Sequence, residues 1–113
     1  MSQPGDAHAK EMEELLQALW KKNYSILQER LQVIRDAQER LATGSLDEQA
    51  RSEAESAAHK LAGILGTFGL PEGSALASKI EGFLARRAAP RADSAPQLKS
   101  WLDELEVIVA SRN

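Results

Sequence analysis

Apolar residues in this chain recur at intervals of three and four, the spacing that lines one face of an α-helix. No alternation of the kind that marks a strand persists, and no long-period repeat is visible. A first helix is predicted over about 7–21, capped by Asp6 and carrying Leu15, Leu16, Leu19 and Trp20. A second, over about 22–42, shows Ile26, Leu27, Leu31, Ile34, Ala37 and Leu41. Nothing between Lys21 and Asn23 forces a break, so the two can also form one kinked helix. Thr43-Gly44-Ser45 stops it, with Gly44 suited to a left-handed cap. Ser45-Leu46-Asp47-Glu48 has the form of a capping box for a third helix over about 46–68, which Gly69 closes. Pro71 favours a new start, and a fourth helix over about 72–88 turns Leu76, Ala77, Ile80, Phe83 and Leu84 inward. After a loop at Ala89-Pro90-Arg91-Ala92-Asp93, a second capping box at Ser94-Ala95-Pro96-Gln97 opens the last helix. That helix, over about 95–111, offers Leu98, Trp101, Leu102, Leu105, Ile108 and Val109.

Short connections favour antiparallel neighbours. The expected fold is therefore all-α, an up-and-down antiparallel four-helix bundle with an additional N-terminal helix. That extra helix packs across one end of the bundle or extends the second helix. With 113 residues the chain has the length of one domain, read here as residues 6–113 behind a tail at 1–5. Trp20 and Trp101 are expected to anchor helix contacts.

Composition narrows the chemistry. There is no cysteine, which removes disulfides, thiol catalysis and thiolate metal sites. The net charge is −3 with acid and base interspersed, so no basic stripe points to nucleic acid. Apolar runs are far shorter than the ~20 residues that span a bilayer, and the polar N-terminus lacks a signal-peptide core. A cytoplasmic location is expected, and the start at Met1 favours a free-standing protein. No metal site is expected, because His8 and His59 share no ligand spacing; His8 reads as incidental.

His59 is the residue that stands out. On a wheel of residues 54–70, Ala54, Ala57, Leu61, Ile64, Leu65 and Phe68 fill one arc, and His59 lies opposite. Its neighbours one and two turns on are Ala62, Gly63 and Gly66. Each glycine inside a helix costs roughly 1 kcal/mol relative to alanine. Two of them beside one exposed imidazole leave that ring open to an approaching partner.

Ala58-His59-Lys60-Leu61-Ala62-Gly63, followed by Gly66-Thr67-Phe68-Gly69, resembles the histidine-containing phosphotransfer (HPt) domain. The family pattern is roughly A-H-x-L-K-G, a glycine near the helix end, and L-x-x-x-x-x-L-E on the next helix. The Gly-Thr-Phe-Gly stretch is similar to the phosphotransfer domain of chemotaxis histidine kinases. The resemblance implies that His59 is the phospho-acceptor, and that Glu81 is the carboxylate that holds one ring nitrogen. It makes Gly63 and Gly66 the small residues that keep the ring accessible. One position departs: Ala62 stands where a lysine commonly lies beside the phosphoryl group. Lys60 is ~100° away around the helix, and Lys79 on the next helix is the other candidate cation.

An ordinary imidazole, with a pKa of ~6.5, is mostly neutral at pH 7 and has one nitrogen free to attack phosphorus. A carboxylate accepting from Nδ1–H fixes the tautomer and leaves Nε2 as nucleophile. The resemblance implies a phosphoryl carrier in a two-component phosphorelay rather than a turnover enzyme. It would be a monomer that meets a sensor or hybrid histidine kinase and a response-regulator receiver domain. It has no cofactor of its own; Mg²⁺ comes with the receiver. Two rival readings are a non-phosphorylated HPt-like adaptor, favoured by Ala62, and a coiled-coil dimerisation module over residues 7–42.

Overall fold

Between Gly5 and Gly44 the sequence contains neither glycine nor proline, and no helix end is dictated there. The structure, a computed structural model, describes residues 4–85 and 91–112. In it one uninterrupted helix, α1, runs from Pro4 to Ala42 over 39 residues. The two helices read from the sequence are thus one, and the additional N-terminal helix is a continuation of its successor. Asn23, at the presumed joint, folds its side chain back and donates Nδ2–H to the Leu19 carbonyl at 2.8 Å. The asparagine lies along the ladder instead of interrupting it. Pro4 and Gly5, expected in the tail, belong to α1. Residues 1–3 lie outside the described residues. Asp6 falls inside the helix rather than at its cap, and its side chain is also outside the described residues.

The remaining elements are α2 (Glu48–Thr67), α3 (Pro71–Leu84), a 3₁₀ turn (Ala92–Ser94) and α4 (Ala95–Arg112). Gly44 and Gly69 sit at φ +72° and end α1 and α2 as expected. At each, two crossed backbone bonds seal the helix: Ser45 N–H to Arg40 O and Gly44 N–H to Leu41 O, then Leu70 N–H to Leu65 O and Gly69 N–H to Gly66 O. The expected capping box at Ser45 does not form. Asp47 is the N-cap of α2, its side chain accepting from Ala50 N–H at 2.8 Å. Ser45 is drawn back to the Arg40 carbonyl and the Thr43 hydroxyl at the end of α1. Ser94 ends the 3₁₀ turn that feeds α4, so its expected role as a helix cap is replaced by a tighter turn. α3 ends at Leu84, short of the expected 88, with Ala85 as C-cap; residues 86–88 lie outside the described residues.

Packing closes a ring. α1 touches α2 and α4, α3 touches α2 and α4, and diagonal pairs do not meet. This is the square cross-section of an up-and-down four-helix bundle. Leucine, isoleucine and alanine fill it, with Trp20 and Phe83 as the buried aromatics. Phe83 meets half-buried Trp101 edge-on at 5.8 Å. Arg35 on α1 spans to Asp103 (3.1 Å) and Glu106 (2.7 Å) on α4, and Lys99, with Arg35 second, holds the Asp103 carboxyl below its usual range.

Trp20 closes one end of the bundle. It has no exposed surface, packs edge-on against Phe68 at 5.2 Å, and carries the Arg112 guanidinium 5.3 Å from its ring centroid. α1, α2 and α4 are thereby tied at one point. Trp20→Ala should cost about 3–5 kcal/mol of unfolding free energy, the usual range for a buried tryptophan. Urea denaturation followed by circular dichroism measures it, and a loss below about 1 kcal/mol would show that the ring is not the closure.

Candidate functional site

The site is built on the α2–α3 hairpin. Gly69 reverses the chain, and Pro71 starts α3 at a position where a missing N–H is harmless. Residues equally far from Leu70 then face each other across the pair. Gly66 and Ser74 are one such pair: a Cβ on Gly66 would meet Ser74 Oγ at 3.6 Å. Ser74 Oγ in turn donates to the Ala62 carbonyl at 2.8 Å, which pins the first turn of α3 to α2. His59 and Glu81 are another pair.

His59 Nδ1 lies 2.9 Å and 3.0 Å from the two carboxylate oxygens of Glu81. A carboxylate only accepts, so the proton of a neutral ring sits on Nδ1 and the lone pair on Nε2. The side chain of His59 is 75% exposed while that of Glu81 is 27% exposed. The carboxylate is half-sheltered between helices and the imidazole stands above it in solvent. Among the described residues Nε2 has no hydrogen-bond partner.

The neighbours are as small as the wheel suggests. Gly63 and Gly66 are exposed, and a Cβ on Gly63 would meet nothing within 4 Å. Nothing inside the chain asks for a glycine there. Ala62 is half-buried against the core. Lys60 points the other way, lining a groove between α1 and α2 with Glu29, Arg30, Val33 and Glu53. Lys79 is exposed on α3 and makes no hydrogen bond or ion pair among the described residues. His59 lines a different depression, with Ser52, Glu55, Ser56 and Glu81. The structure therefore joins His59 to Glu81, Gly63 and Gly66 and leaves Lys60 aside.

Arg51 is a part of this region that the sequence reading missed. Its guanidinium donates to Glu48 and Glu55 on its own helix, and Nη1 also reaches the Leu84 carbonyl at 2.6 Å. Those carboxylates raise the guanidinium pKa, and Arg51 lowers that of Glu48. The contact ties the last turn of α3, one turn beyond Glu81, to the first turns of α2. The Glu48-Arg51-Glu55 spacing was visible as intrahelical pairing; the reach to another helix was not. Among the described residues no group of three or more His, Cys, Asp or Glu side chains is placed to hold a metal ion. No described helix is long and apolar enough to cross a membrane.

A bundle with an exposed, carboxylate-anchored histidine on a glycine-lined helix defines a class. The family model described as "Hpt domain" matches residues 6–111, and the chain belongs to that family. Membership implies histidine phosphotransfer within a two-component phosphorelay, by a carrier module that interacts with histidine kinases and response regulators. The chain is also similar to Protein RcaC of Microchaete diplosiphon, 37% identical over 76 residues. That match covers 67% of this chain and 11% of the relative, so the chain spans a small part of that protein's length. No solved structure matches.

Gly63 offers a clean stability test. With open space at its Cβ, Gly63→Ala should stabilise the fold by about 0.5–1 kcal/mol through helix propensity alone. Thermal unfolding by circular dichroism reads it as a higher Tm, and a lower Tm would mean that the site does not tolerate a methyl group.

Proposed function

We propose that His59 is the phospho-acceptor and that Glu81 is its positioning residue. Nε2 attacks phosphorus, supplied by the ATP-charged site of a histidine kinase or by the acyl phosphate of a receiver aspartate. The Nε2–P bond forms as the P–O bond to the donor breaks, and the bonding pair leaves with the donor oxygen. No proton needs to move on this chain. The ring keeps Nδ1–H and becomes an imidazolium, whose positive charge faces the Glu81 carboxylate. The reverse step hands the group to another receiver, whose Mg²⁺ supplies the charge stabilisation that this chain lacks. Ala62 leaves no cation one turn from His59, so the partner supplies that charge as well.

The observation that carries this reading is the His59 Nδ1 to Glu81 contact at 2.9 Å beneath a ring that is 75% exposed. It gives the imidazole one tautomer and keeps the reactive nitrogen accessible. Gly63 and Gly66 fit the same purpose, since a partner's helix can approach them to backbone distance.

Incubation with a phospho-charged receiver and Mg²⁺ should transfer an acid-labile label to the chain. His59→Gln should abolish it, and a label that survives this change would refute the assignment. Glu81→Gln keeps an acceptor for Nδ1–H but loses the counter-charge, and should slow transfer about ten- to a hundredfold, as for other groups that orient an imidazole. Gly63→Ala should also slow transfer despite its higher Tm. Full-rate binding of a receiver without any label would instead identify a non-phosphorylated adaptor.

A further inference from the structure

α1 is far longer than the bundle needs. At ~1.5 Å per residue its 39 residues span about 58 Å, close to the 61 Å long axis of the molecule, whereas the 20 residues of α2 span about 30 Å. Its first fully buried side chain is Trp20, and no residue from Ala7 to Leu19 is buried. The N-terminal part of α1 is therefore an arm that leaves the bundle. A lone helix of this length is marginal in water.

The arm is not polar. Met12, Leu19, Ile26 and Val33, seven residues apart in turn, are 38–47% exposed, and Leu15 is 54% exposed. On the wheel these five fall within an arc of about 60°. They form a continuous stripe that begins on the arm and runs onto the bundle beside the α1–α2 groove. A seven-residue repeat of this kind is the pattern of a helix that pairs with another helix.

We infer that the stripe from Met12 to Ile26 is covered by the arm of a second copy of this chain, packed antiparallel. The charges set the direction. Exposed Glu11 and Lys22 bracket Met12, Leu15 and Leu19 in sequence and lie about 20° apart on the wheel, along the same edge of the stripe. Place a two-fold axis between Leu16 and Gln17. Glu11 of each copy then faces Lys22 of the other, and the symmetry makes the pair twice. The same axis sets Leu19 of each copy between Met12 and Leu15 of the other, a knob entering a hole. A parallel pair has its two-fold along the helices and sets this edge of one copy across the seam from the opposite edge of the other, so neither Glu11–Lys22 pair forms. The monomer expected from the sequence gives way, on this proposal, to a weak dimer joined at the arms. His59 takes no part, so the dimer does not depend on the phosphotransfer reading.

Sedimentation equilibrium of the full chain, without phosphodonor, tests this between about 1 and 500 µM. The expected result is a concentration-dependent dimer, unchanged in His59→Gln. Leu15→Arg with Leu19→Arg should leave a folded monomer, since both positions are exposed and outside the bundle; circular dichroism checks the fold. Glu11→Lys or Lys22→Glu alone should weaken the dimer roughly tenfold, as two attractive contacts become repulsive. The double variant should restore it, because the reversed charges meet again. A monomer throughout the range, as expected if another domain covers the stripe, would overturn the proposal. So would a dimer that survives the two arginines, or charge variants whose double does not recover.

Discussion

The register of α3 against α2 is the constraint on which the site depends. It is set where the chain reverses: a left-handed glycine at 69, a proline at 71, and the Ser74 hydroxyl on the Ala62 carbonyl. From that turn each helix rises without a break, so the position of every later pair is fixed. His59 and Glu81 meet because they are equally far from the turn, and Arg51 holds the far end of α3 through the Leu84 carbonyl. One residue inserted between Leu70 and Glu81 would swing the carboxylate by ~100° around α3. The contact is thus a property of the hairpin, and the two residues contribute only their side chains.

The small residues around His59 set stability against access. Gly73 is buried, and a Cβ there would meet Ile108 and Leu65 at 3.2 Å, so packing alone explains it. Gly63 is the opposite case: exposed, helical, and with open space at its Cβ. Helix propensity argues against a glycine there and no internal contact argues for it. On the proposed reading, what remains is access for a docking partner. The distinction separates a glycine that packing requires from one that it does not.

Much of this was legible in the sequence, because helical periodicity reports burial directly. The inward residues of α2, α3 and α4, the two glycine caps and the His59–Glu81 pair follow from spacing and family likeness. What was not legible has physical causes. The sequence left two helices or one kinked helix open at Lys21–Asn23, and could not decide because Asn23 satisfies its own side chain within the helix, which composition does not reveal. The cap of α2 fell on Asp47 rather than Ser45, since both offer an oxygen and only the chain path decides between them. Leu15 and Leu19 lie on the apolar face read for the first helix yet are exposed, because periodicity marks such a face without saying what lies opposite. Arg51 was hidden by its own plausibility as an intrahelical ion pair.

On the proposed reading, chemistry is divided between this chain and its partners in a way that the local charges explain. The imidazole needs one carboxylate to hold Nδ1–H, yet a phosphoryl group arriving at Nε2 is itself an anion. Glu55 lines the same depression, and left alone it would repel that anion. Arg51, shared with Glu48, offsets part of that charge through its contact with Glu55 at 2.7 Å, and the guanidinium itself lies about two turns from His59. The named groups around His59 therefore carry no excess of positive charge. A strongly cationic site would hold the phosphorylated state too well, and binding a carried group tightly slows its release. A bundle that fixes one tautomer, exposes one nitrogen and leaves the stabilising charge to a visiting Mg²⁺ favours neither direction of transfer.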